Sequence, residues 1–166
     1  MNRGDAIVGR PRIGDSSARI LVVDDDRDNR ELLEVFLGCE GFLIVTATCG
    51  EEALASVAQQ PPDLILLDIM MPGLDGFQVA AKIKGNHATK NIPIIMVTAL
   101  DDRNTRVLAL RAGAEDFLTK PCDRGELCVR VRKLLRLKTP GERTIEGEPV
   151  TCSAADESEL SLQRPE

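Results

Sequence analysis

The chain has 166 residues, a formal net charge of −6 and a hydrophobic fraction of 43%. This length supports one domain of ordinary size, and the apolar content is sufficient for a buried core. Aromatic residues make up only 2% of the chain, and together with the negative charge this argues against direct nucleic-acid binding.

The N-terminal sequence has basic residues but lacks the apolar segment of a secretory signal, and no apolar run approaches the length of a membrane span. The five cysteines, at positions 39, 49, 122, 128 and 152, are scattered without a C-x₂-C spacing. We therefore expect a cytoplasmic protein with reduced thiols and no membrane partner. The single histidine, His87, lies in a polar stretch that predicts a loop, which disfavours His-dependent nucleophilic or zinc chemistry.

Composition divides the chain into three parts. Residues 1–18 are rich in Gly, Arg, Asp and Ser and are typical of a flexible N-terminal arm. Residues 139–166 contain seven acidic residues against Arg143 and Arg164, which predicts an acidic, disordered tail. The folded domain is therefore expected over residues 19–138.

Five short apolar runs in this domain alternate with five segments of helical periodicity. The predicted strands are Ile20–Val23, Leu43–Ala47, Leu64–Leu67, Ile92–Val97 and Phe117–Leu118. The helical residues expected to face the core are, helix by helix, Leu32, Leu33, Phe36 and Cys39; Ala53, Leu54, Val57 and Ala58; Phe77, Val79, Ala80 and Ile83; Val107, Leu108 and Leu110; and Leu127, Val131, Leu134 and Leu135.

Turn and cap residues set several helix boundaries. Gly41 ends the first predicted helix, the fourth opens at Asp101-Asp102, and a D-x-x-E capping box of Asp123 and Glu126 opens the fifth. The strict alternation of strands and helices predicts an α/β fold, a parallel sheet with helices on both faces. Strands one, three and four are almost wholly aliphatic, as central strands should be, whereas two and five are mixed. This pattern matches the flavodoxin-like order 2-1-3-4-5, which is a known example of the doubly wound class.

Polar residues stand where four of these strands end. Asp24 and Asp25 follow the first strand, Asp68 the third, Thr98 the fourth and Lys120 the fifth. Because the carboxyl ends of parallel strands meet at one edge, we expect a carboxylate cluster, a hydroxyl and an ammonium to converge there. This set of groups suits a hard divalent cation and a phosphoryl group.

Simpler interpretations cover part of the pattern. Asp26 and Asp28 are better explained as a helix cap and a first-turn acid. The first turn is acidic and lacks a G-x-G-x-x-G loop, which argues against a dinucleotide site, and the chain has no P-loop motif. Two carboxylates about 4 Å apart repel by roughly 4 kcal/mol at an effective dielectric near 20, so a cluster of them needs a compensating cation.

Four segments, ILVVDDDRDNRELL, DLILLDIMMPGLDGF, IPIIMVTA and AGAEDFLTKP, resemble the receiver domain of two-component response regulators in order and spacing. By this resemblance Asp68 is the phosphoacceptor. The resemblance further implies that Mg²⁺ is held by Asp24, Asp25, Asp68 and the backbone carbonyl of Met70. Thr98 is the hydroxyl that contacts the phosphoryl group, and Lys120 is its ammonium partner, followed by a cis peptide bond to Pro121. Phe117 is the switch aromatic.

The resemblance also implies a mechanism and partners. A sensor histidine kinase or phosphotransfer protein supplies the phosphoryl group, and the surface of the fourth helix, fifth strand and fifth helix responds. That surface is expected to control a partner or homodimerisation, with Asp116 and Arg130 either paired across a two-fold axis or ordinary surface charges. The chain is expected to catalyse only its own phosphorylation and a slow autodephosphorylation. The alternatives are an Mg²⁺-dependent aspartyl hydrolase, whose D-x-D-x-[TV] motif is absent, and a phosphorylation-independent adaptor.

Overall fold

The structure, a computed structural model, describes residues 17–138. The predicted acidic tail, residues 139–166, lies outside the described residues, as does nearly all of the predicted N-terminal arm. No helix in the described part of the chain is long and apolar enough to cross a membrane.

Five strands and five helices alternate along the described chain. The strands are β1 (Arg19–Val23), β2 (Leu43–Ala47), β3 (Leu64–Leu67), β4 (Ile94–Thr98) and β5 (Asp116–Thr119). The helices are α1 (Arg27–Gly38), α2 (Gly50–Gln59), α3 (Gly76–Gly85), α4 (Arg103–Arg111) and α5 (Arg124–Lys138). Both the number and the type of the predicted elements are confirmed, with β4 starting two residues later than expected because Ile92 and Pro93 precede the strand.

The strands form one parallel sheet in the order β2-β1-β3-β4-β5. This confirms the predicted order, including the mixed strands β2 and β5 at the edges. The order reverses between β1 and β3, where Val23 and Leu67 are register partners. The residues that follow these two strands therefore leave the sheet side by side.

The core is aliphatic and divided by the sheet into two layers. Side chains alternate along β1, so that Leu21 and Val23 enter one layer while Ile20 and Val22 enter the other. The first layer is completed by α2, α3 and α4, and the second by α1 and α5. Central strands buried on both faces explain why three of the apolar runs lack polar alternation.

Acidic residues cap several helices as expected. The Asp26 carboxylate accepts hydrogen bonds from the backbone amides of Asp28 and Asn29 at the start of α1. The Asp123 carboxylate accepts one from the amide of Glu126 at 2.9 Å, at the start of α5. These contacts satisfy amides that have no partner within the helix.

Three helices, α1, α2 and α4, present faces that differ from the predicted ones. In α1 the buried residues are Leu33 and Leu37, whereas Leu32 and Cys39 are exposed. In α2 Ala58 is exposed as well. A shift of one residue in helical phase changes which side chains face the sheet, so apolar spacing alone identified the helices better than their buried faces.

The largest difference is in α4. This helix buries the small residues Thr105 and Ala109 against the sheet and leaves the predicted core residues exposed: Val107, Leu108 and Leu110. An apolar patch on a short surface helix is uncommon in a soluble domain without a partner and often marks an interaction surface.

A polar network closes the amino-terminal edge of β4 and β5. The Lys84 ammonium, at the end of α3, donates to the carbonyls of Lys90 and Ile92 and to Glu115 Oε1 at 2.5 Å. Glu115 Oε2 in turn accepts from the amide of Ile94 at 2.7 Å. We call this network the Lys84–Glu115 clamp; it lies at the edge of the sheet opposite the polar strand ends.

Gly76 begins α3 where the chain turns back towards β3, and a Cβ there would lie 2.3 Å from the carbonyl oxygen of Asp68. We predict that Gly76→Ala destabilises the protein by about 2 kcal/mol, because backbone must move to relieve the overlap. Gly85→Ala, at the other end of the same helix, is the matched control, since no atom lies within 4 Å of its Cβ position. Urea denaturation measures both, and equal effects of the two changes would contradict the packing argument.

Candidate functional site

The polar residues at the carboxyl edge are held in place by the strands that precede them. The Asp68 amide donates to the carbonyl of Val23 at 2.9 Å, and the Asp24 amide donates to that of Ala47 at 3.2 Å. These two bonds continue the backbone hydrogen-bonding pattern of the sheet one residue past the ends of β3 and β1. The backbone of both aspartates is therefore fixed by the sheet.

The structure brings three of the predicted carboxylates together. One carboxylate oxygen from each of Asp24, Asp25 and Asp68 lies within 4.8 Å of the others. Asp24 and Asp68 are only 1% and 6% exposed, whereas Asp25 faces solvent. Two buried carboxylates and one open to solvent form a site that water or a substrate can approach from one side.

Lys120 supplies the positive charge of this cluster. Its ammonium lies 2.5 Å from Asp24 Oδ2 and 3.2 Å from Asp68 Oδ2, so one cation is shared by two buried anions. Burial alone would lower the pKa of Lys120, but the hydrogen bond to Asp24 and the charge of Asp68 outweigh it, and the pKa is raised. Lys120 is therefore a permanent cation at neutral pH.

The pKa of Asp68 is raised above the ordinary value for aspartate. The main cause is burial, which disfavours the carboxylate, and the charge of Asp24 acts in the same direction. The charge of Lys120, its hydrogen bond and the amide of Met70 oppose these effects without overcoming them. An incompletely compensated carboxylate at a solvent-facing edge is suited to bind a cation or to act as a nucleophile.

Arg30 is a member of the site that the sequence did not reveal. Its guanidinium donates to the backbone carbonyl of Asp24 at 2.7 Å, while the Asp24 carboxylate accepts from the amide of Asp26 at 2.9 Å. These two bonds hold the acidic turn between β1 and α1. The partner of Arg30 is a main-chain oxygen, and every residue has one. The sequence therefore shows only a basic residue six positions after Asp24, which does not predict the contact.

Met70 donates its amide to Asp68 at 3.3 Å, whereas the predicted residues Thr98 and Phe117 form no hydrogen bond with the cluster among residues 17–138. Thr98 is fully buried at the end of β4, and its hydroxyl accepts from the amide of Leu100 at 3.3 Å. Phe117 is partly buried in β5 and is covered by the guanidinium of Arg106, 5.2 Å from the ring centroid. Within residues 17–138 no hydrogen bond joins Thr98 to Asp68. The Lys120–Pro121 peptide bond is cis, as the resemblance implied.

The donor set fits Mg²⁺. This ion prefers oxygen ligands and is commonly held by one or two carboxylates with several waters retained. Asp24, Asp25 and Asp68 offer carboxylate oxygens only, and the exposed side of the cluster leaves room for water. Zinc, which takes sulfur and nitrogen ligands, is a poor match because no cysteine or histidine joins the cluster among the described residues.

Comparison with known proteins agrees with the geometry. The family model described as "Response regulator receiver domain" matches residues 20–132. The chain belongs to the response regulator receiver family. The response regulator PleD of Caulobacter vibrioides is 52% identical over 122 residues, which cover 74% of this chain and 27% of that protein. MprA of Mycobacterium tuberculosis is 45% identical over 124 residues, covering 75% of this chain and 53% of that protein.

Solved structures lead to the same family. The BeF3-activated N-terminal receiver domain of Klebsiella pneumoniae RstA is 34% identical, with a TM-score of 0.66, and covers 71% of this chain and 98% of that one. The chemotaxis protein CheY4 of Vibrio cholerae is 28% identical, with a TM-score of 0.69, and the match covers 72% of this chain and 99% of that one. The receiver chain spans about a quarter of PleD and about half of MprA. Membership places the chain among the receiver domains of two-component response regulators.

Asp116 and Arg130, predicted as candidates for a charge pair between two copies, are paired within one chain. Arg130 Nη1 lies 2.7 Å from Asp116 Oδ1, and the same guanidinium contacts Glu126. The pair is therefore already satisfied in the monomer. Any contact between copies through these residues requires an exchange of partners.

The raised pKa of Asp68 predicts a distinctive pH dependence in the metal-free protein. Between the ordinary aspartate pKa and the raised one, the folded state binds more protons than the unfolded state, so this group makes stability fall as pH rises. We predict that Asp68→Asn, measured by urea denaturation in chelator between about pH 4 and pH 7, gains stability over the wild type as pH increases.

The exposed first-turn residue Asp28 gives the control variant, Asp28→Asn. Its difference from the wild type should not show the same increase with pH. A constant stability difference between Asp68→Asn and the wild type across the range would contradict the assignment of the unfavourable charge to Asp68.

Proposed function

We propose that Asp68 accepts a phosphoryl group from the phosphohistidine of a partner protein, with Mg²⁺ as cofactor, and that this modification controls the α4–β5–α5 surface. The observation that supports it is the position of Asp68, a buried carboxylate 3.2 Å from the Lys120 ammonium and beside two further carboxylates. This arrangement provides a nucleophile and charge stabilisation at one solvent-facing point.

The transfer follows from the chemistry of these groups. An Asp68 carboxylate oxygen attacks phosphorus in line, an O–P bond forms, and the P–N bond breaks with its electron pair returning to the imidazole. Lys120 keeps its proton throughout and stabilises negative charge on the phosphoryl oxygens. Arg30 and the amide of Asp26 hold the Asp24 turn, so the site needs little rearrangement.

Asp24, Asp25, Asp68 and the backbone carbonyl of Met70 are the groups that would hold Mg²⁺. When bound, the ion supplies positive charge that offsets both the carboxylate cluster and the phosphoryl oxygens. Asp25 and Met70 are both exposed to solvent, and the phosphoryl donor is proposed to arrive from their side.

The response is proposed to run from Thr98 and Phe117 to α4. A phosphoryl group on Asp68 attracts the Thr98 hydroxyl, which must leave its contact with the Leu100 amide, and Phe117 moves into the vacated space. The Arg106 guanidinium on Phe117 then couples the ring to α4, whose exposed apolar residues form the outer surface. Light scattering of the phosphorylated protein distinguishes homodimerisation from binding of another partner.

Phosphorylation at Asp68 is tested with a small phosphodonor that has a P–N bond, such as phosphoramidate. Intact-mass measurement should show one added phosphoryl group in the wild type with Mg²⁺, and none with Asp68→Asn or in chelator. Asp25→Asn should raise the Mg²⁺ concentration needed for half-maximal labelling by about tenfold, since loss of one ligand costs on the order of 1.4 kcal/mol.

Asp28→Asn, which removes an exposed acid outside the cluster, should be labelled like the wild type. Labelling of Asp68→Asn to the same extent would contradict the assignment. Partner binding that is equal for the wild type and Asp68→Asn would favour a phosphorylation-independent adaptor, and turnover of a generic phosphomonoester would favour a hydrolase.

The phosphorylated state is expected to be long-lived. Met70 and Leu100 stand two residues after Asp68 and Thr98, and both are exposed apolar side chains that cannot orient a water by hydrogen bonding. We propose that they flank the approach of water to the acyl phosphate. We predict that Met70→Asn combined with Leu100→Glu accelerates phosphate release by about tenfold, equivalent to ~1.4 kcal/mol in the barrier.

Phosphate release from the pre-phosphorylated protein measures this rate. Leu110→Asn is a matched control, because Leu110 is 65% exposed, comparable with the 60% of Met70, but lies at the end of α4. A wild-type lifetime of seconds, or an equal rate for the double variant, would refute the role of these two residues.

A further inference from the structure

The outer face of α5 has a stripe in which cationic and apolar side chains adjoin. Val129, Lys133, Arg136 and Leu137 are all exposed and lie at helical spacing on one face; we call them the α5 stripe. Val129 and Leu137 are 68% and 75% exposed. An exposed stripe that combines apolar area with positive charge is suited to bind an acidic, partly apolar segment.

The cations of the stripe differ from the other cations of α5. Arg124 and Arg132 are both paired with Glu40, and Arg130 is paired with Asp116 and Glu126. Within residues 17–138, neither Lys133 nor Arg136 forms an ion pair. Among the cations from Arg124 to Arg136, positive charge without an ion pair is thus concentrated on the stripe.

A shallow groove continues the stripe towards β5. It has a volume of about 340 Å³ and is lined by Asp116, Gly125, Glu126, Val129, Arg130 and Lys133. Arg130 pairs with both acids in its lining, and Lys133 adds a second positive charge, so the formal charges of these four side chains cancel. The groove therefore adds apolar and backbone surface without adding unpaired negative charge.

The chain itself contains a segment of complementary chemistry. Residues 139–166 hold seven acids against two basic residues, and the sequence DESELSL at 156–162 places three acids next to Leu160 and Leu162. The sequence of α5 holds six basic residues and one acid. Positive charge with apolar surface on the helix is thus matched by negative charge with apolar side chains in the segment that follows it.

The distance allows the contact. The DESELSL sequence begins about 20 residues after α5, and a random coil of that length spans roughly 25 Å. α5, with 15 residues, is roughly 22 Å long. An intramolecular site within such reach experiences an effective concentration in the millimolar range, so even weak attraction produces substantial occupancy.

We propose that residues 156–162 of the acidic tail dock on the α5 stripe of the same chain. The acids contact Lys133 and Arg136, and the two leucines cover Val129 and Leu137. Docking does not depend on phosphorylation. Its consequence for signalling, which rests on the proposed function, is that the tail covers part of the α4–β5–α5 surface and competes with whatever binds there.

The test uses the unphosphorylated chain of 166 residues, so its outcome is independent of the proposed function. Backbone amide NMR spectra are compared between the wild type and the tail variant Asp156→Asn/Glu157→Gln/Glu159→Gln. Docking predicts shift differences concentrated at Val129, Lys133 and Arg136. It also predicts that raising the salt from about 0.1 M to about 1 M moves the wild-type signals towards those of the variant, because screening then reaches contact distances.

A second pair of variants locates the site on the folded domain. Lys133→Gln/Arg136→Gln should reproduce the loss of docking, seen as movement of the tail amides 156–162. Lys82→Gln/Lys90→Gln, which removes two exposed cations on and after α3, should leave those amides unchanged. If Lys82→Gln/Lys90→Gln shifted the tail amides as much as Lys133→Gln/Arg136→Gln does, the assignment of the docking site to α5 would be overturned.

Concentration separates docking within one chain from exchange between copies. Shift differences that are constant on dilution support the intramolecular contact. Differences that disappear on dilution would show that the tail binds a second copy and would overturn the proposal. An α5 spectrum that is identical in the wild type and the tail variant would also overturn it.

Discussion

One ammonium shared by two buried carboxylates is the interaction on which the carboxyl edge depends. Lys120 lies within hydrogen-bond distance of both Asp24 and Asp68, and it is the cation that offsets their charge in the metal-free protein. The compensation is incomplete, because the pKa of Asp68 is still raised. The edge therefore retains an excess of negative charge, which is the property that a divalent cation and a phosphoryl donor can use.

The strand order explains why these groups meet. Lys120 and Asp24 are separated by 96 positions in the chain, yet each follows the end of a parallel strand, and all such ends lie on the same edge. The reversal of order between β1 and β3 places Asp24 and Asp68 on neighbouring strands, and their amides are fixed by the carbonyls of the adjoining strands. The geometry of the cluster is thus set by the sheet, while loops contribute the exposed groups such as Asp25 and Met70.

Much of this arrangement could be predicted from the sequence because it depends on order along the chain. Strand ends mark Asp24, Asp68, Thr98 and Lys120, and a parallel sheet brings them together whatever the details of packing. The exposed apolar face of α4 could not be predicted in this way, because helical phase in nine residues is decided by contacts with the sheet. The hydrogen bond from Arg30 to the main-chain carbonyl of Asp24 could not be predicted either, because a main-chain acceptor is present at every residue and gives no side-chain pattern. The Asp116–Arg130 pair shows a third limit: spacing identified two complementary charges but did not decide whether they meet within a chain or between chains.

The Lys84–Glu115 clamp has a mechanical consequence for the switch. It joins the end of α3, the segment before β4 and the start of β5 at the edge of the sheet remote from Asp68. In the proposed switch, the displacement begins at Thr98, which lies at the end of β4 remote from this clamp. The amino-terminal edge of β4 and β5 is thus held by side-chain contacts that the proposed movement leaves in place, so the domain can change its shape at one edge without loosening the other.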